Sequence, residues 1–505
     1  MTDYVQGFHR RQQLLMPDTV DDYVSADNPA RFIAAFVDNL DLTAMGFTHT
    51  ELKETGRPPY DPADLLKLYL YGYLNQVRTS RKLERECTRN LEVMWLIGKL
   101  APDFKTIADF RKDNVDCIRA VFRELHCLCT DLGLIQGDLV GIDGTKFKAV
   151  NSNDRSLNEE KLQEKLKRID ERVARYLEEL DANDKKEEGE QPLPARVKDL
   201  QKNIEKLKEK KTFYEGLRTR METTGEKEIS LTDPDCRTMK NNGKLESCYN
   251  GRIAVDSMNK LIVTYDVDNL SSDRKSLAQM SVQAKEALGV EKLEVTADKG
   301  FHSAQELHRG FEKDITPYVP KPDHKKGAAE RHRLSPEFDG SKFAYDASTD
   351  SYLCPASKRL TFHSESHYNR PTNPEGENVR LYATAECLTC PHYFNGCTST
   401  EGGRRIRRTE YAEDVEKADA LYGTVEGRAK VSLRKTLVEH PFGTIKRAFN
   451  QGYLLLKGLA LCAIECAFLS GFTPVQPLKP LRVQDVRSEL FDMVPNHGGP
   501  CLCLH

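Results

Sequence analysis

Apolar residues recur at three- and four-residue spacing through roughly the first 135 positions, which predicts a succession of short helices. In YDPADLLKLYLYGYLNQ, Asp61 is placed to cap a helix with Pro62 as its first residue, and Leu65, Leu66, Tyr69, Leu70 and Tyr73 form the apolar face. Ser80 is expected to cap a second helix and Thr106 a third, with KLAPDF as the break between them. A last helix carries Val115, Ile118, Phe122, Leu125, Cys129 and Leu132 on one face and stops at Gly133. Short basic helices of this kind can enter a DNA groove, with Arg78, Arg81, Lys82, Arg85 and Arg89 on phosphates. Packing or dimer modules have the same pattern, their arginines simply facing water.

Beyond Gly137 the period changes to two. DLVGIDGTKFKAV, Asp138 to Val150, reads as a strand or a strand pair with Asp143 in its middle; the Asp-Gly step favours a hairpin turn when this segment is taken alone. From Ser156 to about Met221 the chain is charged and helical. Leu162, Leu166, Ile169, Val173, Leu177 and Leu180 form one seam, EGEQPLP breaks it, and Val197, Leu200, Ile204 and Leu207 restart it, giving an antiparallel helical hairpin. YNGRIAVDSMNKLIVTYDVDN predicts a hairpin turning at Met258 and Asn259, followed by a crossover helix capped near Ser272. KLEVTADKGFHSAQEL predicts a buried strand that ends at Asp298 and runs into a helix, and DITPYVPKP one further strand. The order is that of a mixed α/β sheet. About a hundred turn-rich positions then read as irregular before a long helix containing Glu439.

Composition narrows the class. A chain of 505 residues exceeds one hydrophobic core, and 39% hydrophobic with 30% charged residues suits a globular protein with no apolar run long enough to span a membrane. The start, MTDYVQGFHRRQQLLMPD, lacks the pattern of a secretory leader, so an intracellular, cytoplasmic location is expected. The 14 cysteines are then expected to be reduced thiols or metal ligands. A net charge of -3 excludes a uniformly nucleic-acid-coating protein and leaves room for a local DNA track, as in GRRIRR (Arg404, Arg405, Arg407, Arg408) and TIKR (Lys446, Arg447).

Three carboxylates stand out by position: Asp143 on the first strand, Asp298 at the carboxyl end of a later one, and Glu439 on the helix after the sheet. Open α/β sheets gather ligands outside their strand ends, where such residues can converge. Three anions in one cleft repel unless hard divalent cations with oxygen ligands, Mg²⁺ or Mn²⁺, join them, and two such ions favour in-line attack on a phosphodiester.

The segments GIDGTKFKA, DPDCRTMKNNGK with YNGRIAVD, VTADKGFHS and VEHPFGTIKR, in this order, resemble the DDE transposases of bacterial insertion sequences over most of the chain. The resemblance implies a retroviral-integrase-like, ribonuclease H-like mixed sheet with flanking helices, and Asp143, Asp298 and Glu439 as catalytic metal ligands, with two Mg²⁺ or Mn²⁺ ions. It also implies cleavage at the element's ends and 3′-hydroxyl strand transfer. Its partners would be double-stranded DNA, both terminal inverted repeats and target, with a homodimer or larger assembly in the active complex and the bacterial nucleoid as the place of action. Lys446 would contact a terminal phosphate, with Arg447 beside it. Many relatives have a tyrosine seven and an arginine four positions before the glutamate; here those positions are Ser432 and Lys435, and Arg434 offers a substitute base. Any flipped base would stack on Tyr or Phe, because Trp95, the only tryptophan, lies in the amino-terminal helices.

The implied organisation is a helical DNA-binding or assembly domain over 1–135 and a catalytic core of 136–322 and 425–475. The core is interrupted by the hairpin 156–221; a cysteine-containing insertion spans 323–424 and a tail 476–505. In the insertion, Cys354, Cys387, Cys390 and Cys397 have the spacing of a tetrahedral zinc knuckle or, alternatively, of buried small thiols; the stretch reads as too poor in aliphatic residues to fold unaided. Two other functions remain open: a nuclease that uses the same acids without joining, and a DNA-binding protein that has lost mobility.

Overall fold

The computed structural model describes residues 18–51, 58–151, 155–184, 194–322, 335–370, 373–398, 400–448 and 452–471. The tail 476–505, with Cys501 and Cys503, the amino-terminal 1–17 and positions 188–193 of the EGEQPLP break lie outside them. Contacts divide the chain into two compact units, one formed by Met1–Gln136, Gly144–Ser271 and Glu439–His505, the other by Gly137–Asp143 and Ser272–Val438. No helix among the described residues is long and apolar enough to cross a membrane.

The first unit begins with helices α1 (Pro29–Asp38), α2 (Pro62–Leu74), α3 (Ser80–Arg89), α4 (Leu91–Leu96), α5 (Phe104–Asp113) and α6 (Val115–Asp131). Asp61 caps α2 by accepting from the Ala63 amide, with Pro62 at the first position. Two expected caps move upstream. Thr79 caps α3, and Asp103, not Thr106, caps α5, its carboxylate accepting from the Lys105 and Thr106 amides at 2.9 and 2.8 Å. Phe468, on the last described helix (Leu459–Gly471), closes this core: its ring lies 4.4 Å from that of Tyr73 and 5.7 Å from that of Tyr69.

Strand β1 (Leu139–Lys148) is continuous through Asp143-Gly144, so the hairpin turn favoured by the Asp-Gly step does not form. Only its second half belongs to this unit, where the order is β4-β5-β1. The helical hairpin, α7 (Glu159–Asp184) and α8 (Pro194–Thr224), is clamped at its base by antiparallel β2 (Ser156–Asn158) and β3 (Glu228–Ser230) around buried Leu157, Leu162, Met221 and Ile229. Next come β4 (Arg237–Asn241), β5 (Lys244–Asp256) and β6 (Ile262–Asp268), with both β4 and β6 antiparallel to β5. Asn242 and Gly243 turn the β4-β5 hairpin with φ of 48° and 84°, the two left-handed positions of a type I′ turn.

In the second unit, α9 (Leu277–Leu288), β7 (Leu293–Thr296), α10 (Ala304–Glu312) and β8 (Ile315–Tyr318) follow one another, and the first half of β1, β7 and β8 pair in parallel. Leu139, Val140 and Ile142 are all buried, as expected of a parallel strand covered on both faces. The supposedly irregular hundred positions contain a second, antiparallel sheet. Its order is β13-β12-β11-β10-β9, from β9 (Ala344–Asp346), β10 (Ser351–Leu353), β11 (Arg359–Arg370), β12 (Asn373–Ala383) and β13 (Ile406–Thr409). Its core is Phe343, Tyr352, Leu360, Tyr382 and Ile406, so aromatic rings supply the burial that scarce aliphatic residues do not.

Helices α11 (Ala412–Gly423) and α12 (Val425–Gly443) complete the order. Leu437 and Val438 of α12 lie on β1 at Gly141, where an added Cβ would stand 3.3 Å from a methyl of each. Glycine here permits the close approach of helix and strand. A Gly141→Val change is expected to cost about 1–3 kcal/mol by overpacking. The check is a lower urea midpoint at unchanged slope.

Candidate active site

The register of β1 on β7 pairs Leu139 with Glu294, Val140 with Val295 and Gly141 with Thr296. Continued two residues, it sets Asp143 level with Asp298, just past the carboxyl end of β7. The chain leaves β7 through buried Thr296 and Ala297, and Asp298 then caps a single turn, Lys299–Phe301, by accepting from the Gly300 amide at 2.7 Å. Phe301 and His302, both buried, anchor that turn. The two aspartates thus stand where parallel α/β sheets present ligand groups.

One side of α12 is basic toward this sheet. Arg434 donates from Nη1 to Asp143 Oδ2 at 2.7 Å, its side chain only 13% exposed. One turn earlier, Lys430 donates to Glu294 Oε2 at 2.5 Å and to the Tyr318 hydroxyl at 3.2 Å. Burial works against the Lys430 ammonium, but these partners and Glu426 hold its pKa above the ordinary lysine value. Arg434, expected to face DNA, here pairs with the first aspartate. The spacing of Lys430 and Arg434, four apart on a helix, was the available sequence signal for a shared basic face.

Glu439, exposed on α12, is the first residue of the other unit's last segment. Helix α12 continues through Pro441 and gives way to a π-helical turn, Thr444–Ala448, so the assumed two regular turns between Glu439 and Lys446 are not what forms. Lys446, expected at a terminal phosphate, is half-buried. Its Nζ donates to Thr145 Oγ1 at 2.6 Å and to the Lys146 carbonyl at 2.9 Å, and burial lowers its pKa from the ordinary value. It braces the segment that follows Asp143, whereas Arg447 is exposed.

The other basic candidates divide by strand alternation. Arg405 just before β13 and Arg407 on it are exposed, while Arg408 is 7% exposed, stacks over Tyr345 at 3.7 Å and pairs with Glu416 at 2.5 Å. Arg404 is half-buried over Phe343 and donates to the Cys397 carbonyl. Arg408 therefore belongs to the fold of its sheet and is withdrawn as a DNA contact. Lys435 remains exposed. In α3, Arg81, Lys82, Arg85 and Arg89 are exposed, but Arg78 is buried against Glu465 and is likewise withdrawn.

Family models match two stretches: a transposase domain (DUF772) over residues 18–113 and a transposase DDE domain over residues 353–471. Both matches are to transposase domains, and together they support a DDE transposase of the insertion-sequence type. No curated protein and no solved structure matches the chain. Glu439 falls inside the matched DDE stretch of the transposase; Asp143 and Asp298 fall between the two matches. Its family implies DNA as the molecule acted on, nuclease and transesterase chemistry, and a divalent metal. The donor chemistry fits such a metal in part, because Asp143 within β1 and Asp298 just past the end of β7 offer hard carboxylate oxygens. Among the described residues, however, no three His, Cys, Asp or Glu side chains are gathered closely enough to hold one ion.

Proposed function

We propose that this transposase cuts DNA at the ends of its element and joins the freed 3′-hydroxyl to target DNA, with Asp143, Asp298 and Glu439 as the carboxylates that hold one or two Mg²⁺ or Mn²⁺ ions. The pairing of Gly141 with Thr296 on the parallel strands β1 and β7, two residues before each aspartate, is the observation that supports this reading. Such ions, when bound, activate water and stabilise the leaving 3′ oxygen. The chain's own part is positioning: the Gly300 amide orients Asp298, Arg434 orients Asp143, and Lys446 fixes the backbone beyond it. No nucleophilic side chain is needed, since water and then the 3′-hydroxyl attack. The family match supports Glu439 as the third acid.

Arg405, Arg407, Lys435 and Arg447 are exposed cations suited to phosphate contact, and the helical amino-terminal region is assigned to end binding or to assembly of a dimer or larger complex. A double Arg405→Ala/Arg407→Ala change is expected to weaken binding about equally for all sequences and to flatten log K against log salt by about two units. Titration of labelled duplex at several salt concentrations checks this. An unchanged slope removes both residues from the DNA track.

The proposed chemistry is tested with a labelled duplex bearing the inverted repeats that flank the reading frame, a target plasmid and Mg²⁺. Cut ends followed by joined product are expected. Cutting with no joined product would replace the reading with that of a nuclease.

A further inference from the structure

Four cysteines in the second unit come from three separate turns yet line one cavity of about 20 Å³: Cys354, Cys387, Cys390 and Cys397. A space of that size holds about one water-sized particle. We propose that Cys354, Cys387, Cys390 and Cys397 form a structural site for one zinc ion, a tetrathiolate knuckle at the edge of the antiparallel sheet. This goes beyond the proposed DNA chemistry and stands independently of it.

The turns are built around the sulfurs. At the first, the Lys358 amide donates to Cys354 Sγ at 3.2 Å and the Cys354 amide to the Lys358 carbonyl at 2.9 Å. The second turn, Cys387 to Cys390, is closed by the Cys390 amide donating to the Cys387 carbonyl, and Tyr393 donates in turn to Cys390. In the third, the Cys397 amide donates to the His392 carbonyl. Lys358 pairs with Glu386 at 2.9 Å and so links the first two turns. At Gly403, φ is 88° and a Cβ would stand 2.6 Å from Cys387 Cβ, so the chain entering β13 passes against the second turn.

A hydrophobic role for these thiols explains less. The core of the sheet is formed by Phe343, Tyr352, Leu360, Tyr382 and Ile406, with Tyr345, Cys354 and Cys397 packed on its margin. The loops that carry Cys390 and Cys397 leave Leu388 and Phe394 exposed rather than packed in a core, and a metal can supply the closure they lack. The four cysteines line the cavity but, as they stand, are not gathered closely enough to share one ion, so ligation requires the turns to move inward. Each ligating thiol releases its proton to solvent as the sulfur–zinc bond forms. Exposed Arg405 and Arg407 follow directly on this region and would be held by it.

The test uses the full chain, purified without added metal or chelator. Elemental analysis is expected to find about one zinc per chain. Exchange with Co²⁺ is expected to give the sulfur-to-cobalt charge-transfer and visible bands of a tetrahedral tetrathiolate. Cys387→Ser/Cys390→Ser should lose both signals, and Cys117→Ser, outside the cluster, should keep them. Should the double variant not fold, the metal content and cobalt spectrum of the unaltered chain decide alone. Less than a tenth of an equivalent of zinc with no thiolate spectrum on cobalt addition overturns the proposal, as does an unchanged spectrum in a folded double variant.

Discussion

Asp143→Asn is expected to abolish end cutting and strand transfer while leaving binding of the DNA ends intact. Loss of an outer partner of a metal ligand already costs about 10–100-fold, and an amide replacing a carboxylate removes the charge that binds the ion itself. The fold should survive, because asparagine keeps an oxygen to accept the Arg434 bond now made at 2.7 Å. Asp298→Asn should behave alike, its amide oxygen still accepting from Gly300. Gel-shift and cleavage assays on the same preparations separate binding from chemistry. Full cutting by either variant would remove that aspartate from the active site.

Glu465→Ala is expected to give the largest loss of stability. Glu465 is wholly buried, faces Arg78 Nη1 at 3.3 Å, and accepts from the Leu455 and Leu456 amides at 2.8 and 3.1 Å. Truncation leaves a buried guanidinium and two amides without this partner, a loss of about 3–5 kcal/mol for a broken buried pair. Burial raises the Glu465 pKa more than Arg78 and the amides lower it. The folded protein therefore binds this proton more tightly than the unfolded chain does. Its contribution to stability is full below the ordinary glutamate range and is lost as pH rises through the raised value. Glu465→Gln, which keeps an acceptor for the amides, should cost less than alanine and lose that part of the pH dependence. Urea unfolding of the three proteins across acidic pH checks both; an alanine variant as stable as the parent would contradict the buried pair.

Legibility from sequence followed the range of the interactions. The Asp61-Pro62 start of α2 and the Gly133 stop after α6 depend on neighbours in the chain and were readable. Asp143-Gly144 carried a local turn signal, but flanking Leu139, Val140 and Ile142 are buried in a parallel sheet, and that long-range pairing prevailed. The second sheet escaped because β11 is polar and largely exposed, so its alternation shows no apolar face, while the burial rests on scattered Tyr352, Tyr382 and Phe343. The Asn242-Gly243 step, which forms the type I′ turn between β4 and β5, is a short hairpin signal that was present in the sequence and went unread.

At the candidate site, the three acids were named from order and resemblance, whereas the partners of the basic residues were not legible. Arg434, Lys446, Arg408 and Arg78 all read as surface cations. Arg434, Lys446 and Arg78 find partners far along the chain, Asp143, Thr145 and Glu465, while Arg408 finds Glu416 on the next helix, eight residues on. Periodicity shows which side of an element is apolar and is silent about which acid a buried cation will meet.

The central claim is that Asp143 and Asp298 share a divalent ion. Replacing that ion with Fe²⁺ and adding ascorbate and peroxide generates radicals that cut the polypeptide next to the bound metal, and mass spectrometry locates the cuts. The account predicts cleavage near both Asp143 and Asp298, suppressed by excess Mg²⁺ and absent in Asp298→Asn. Cuts confined to other segments, or cuts near only one aspartate that Mg²⁺ does not suppress, would contradict it.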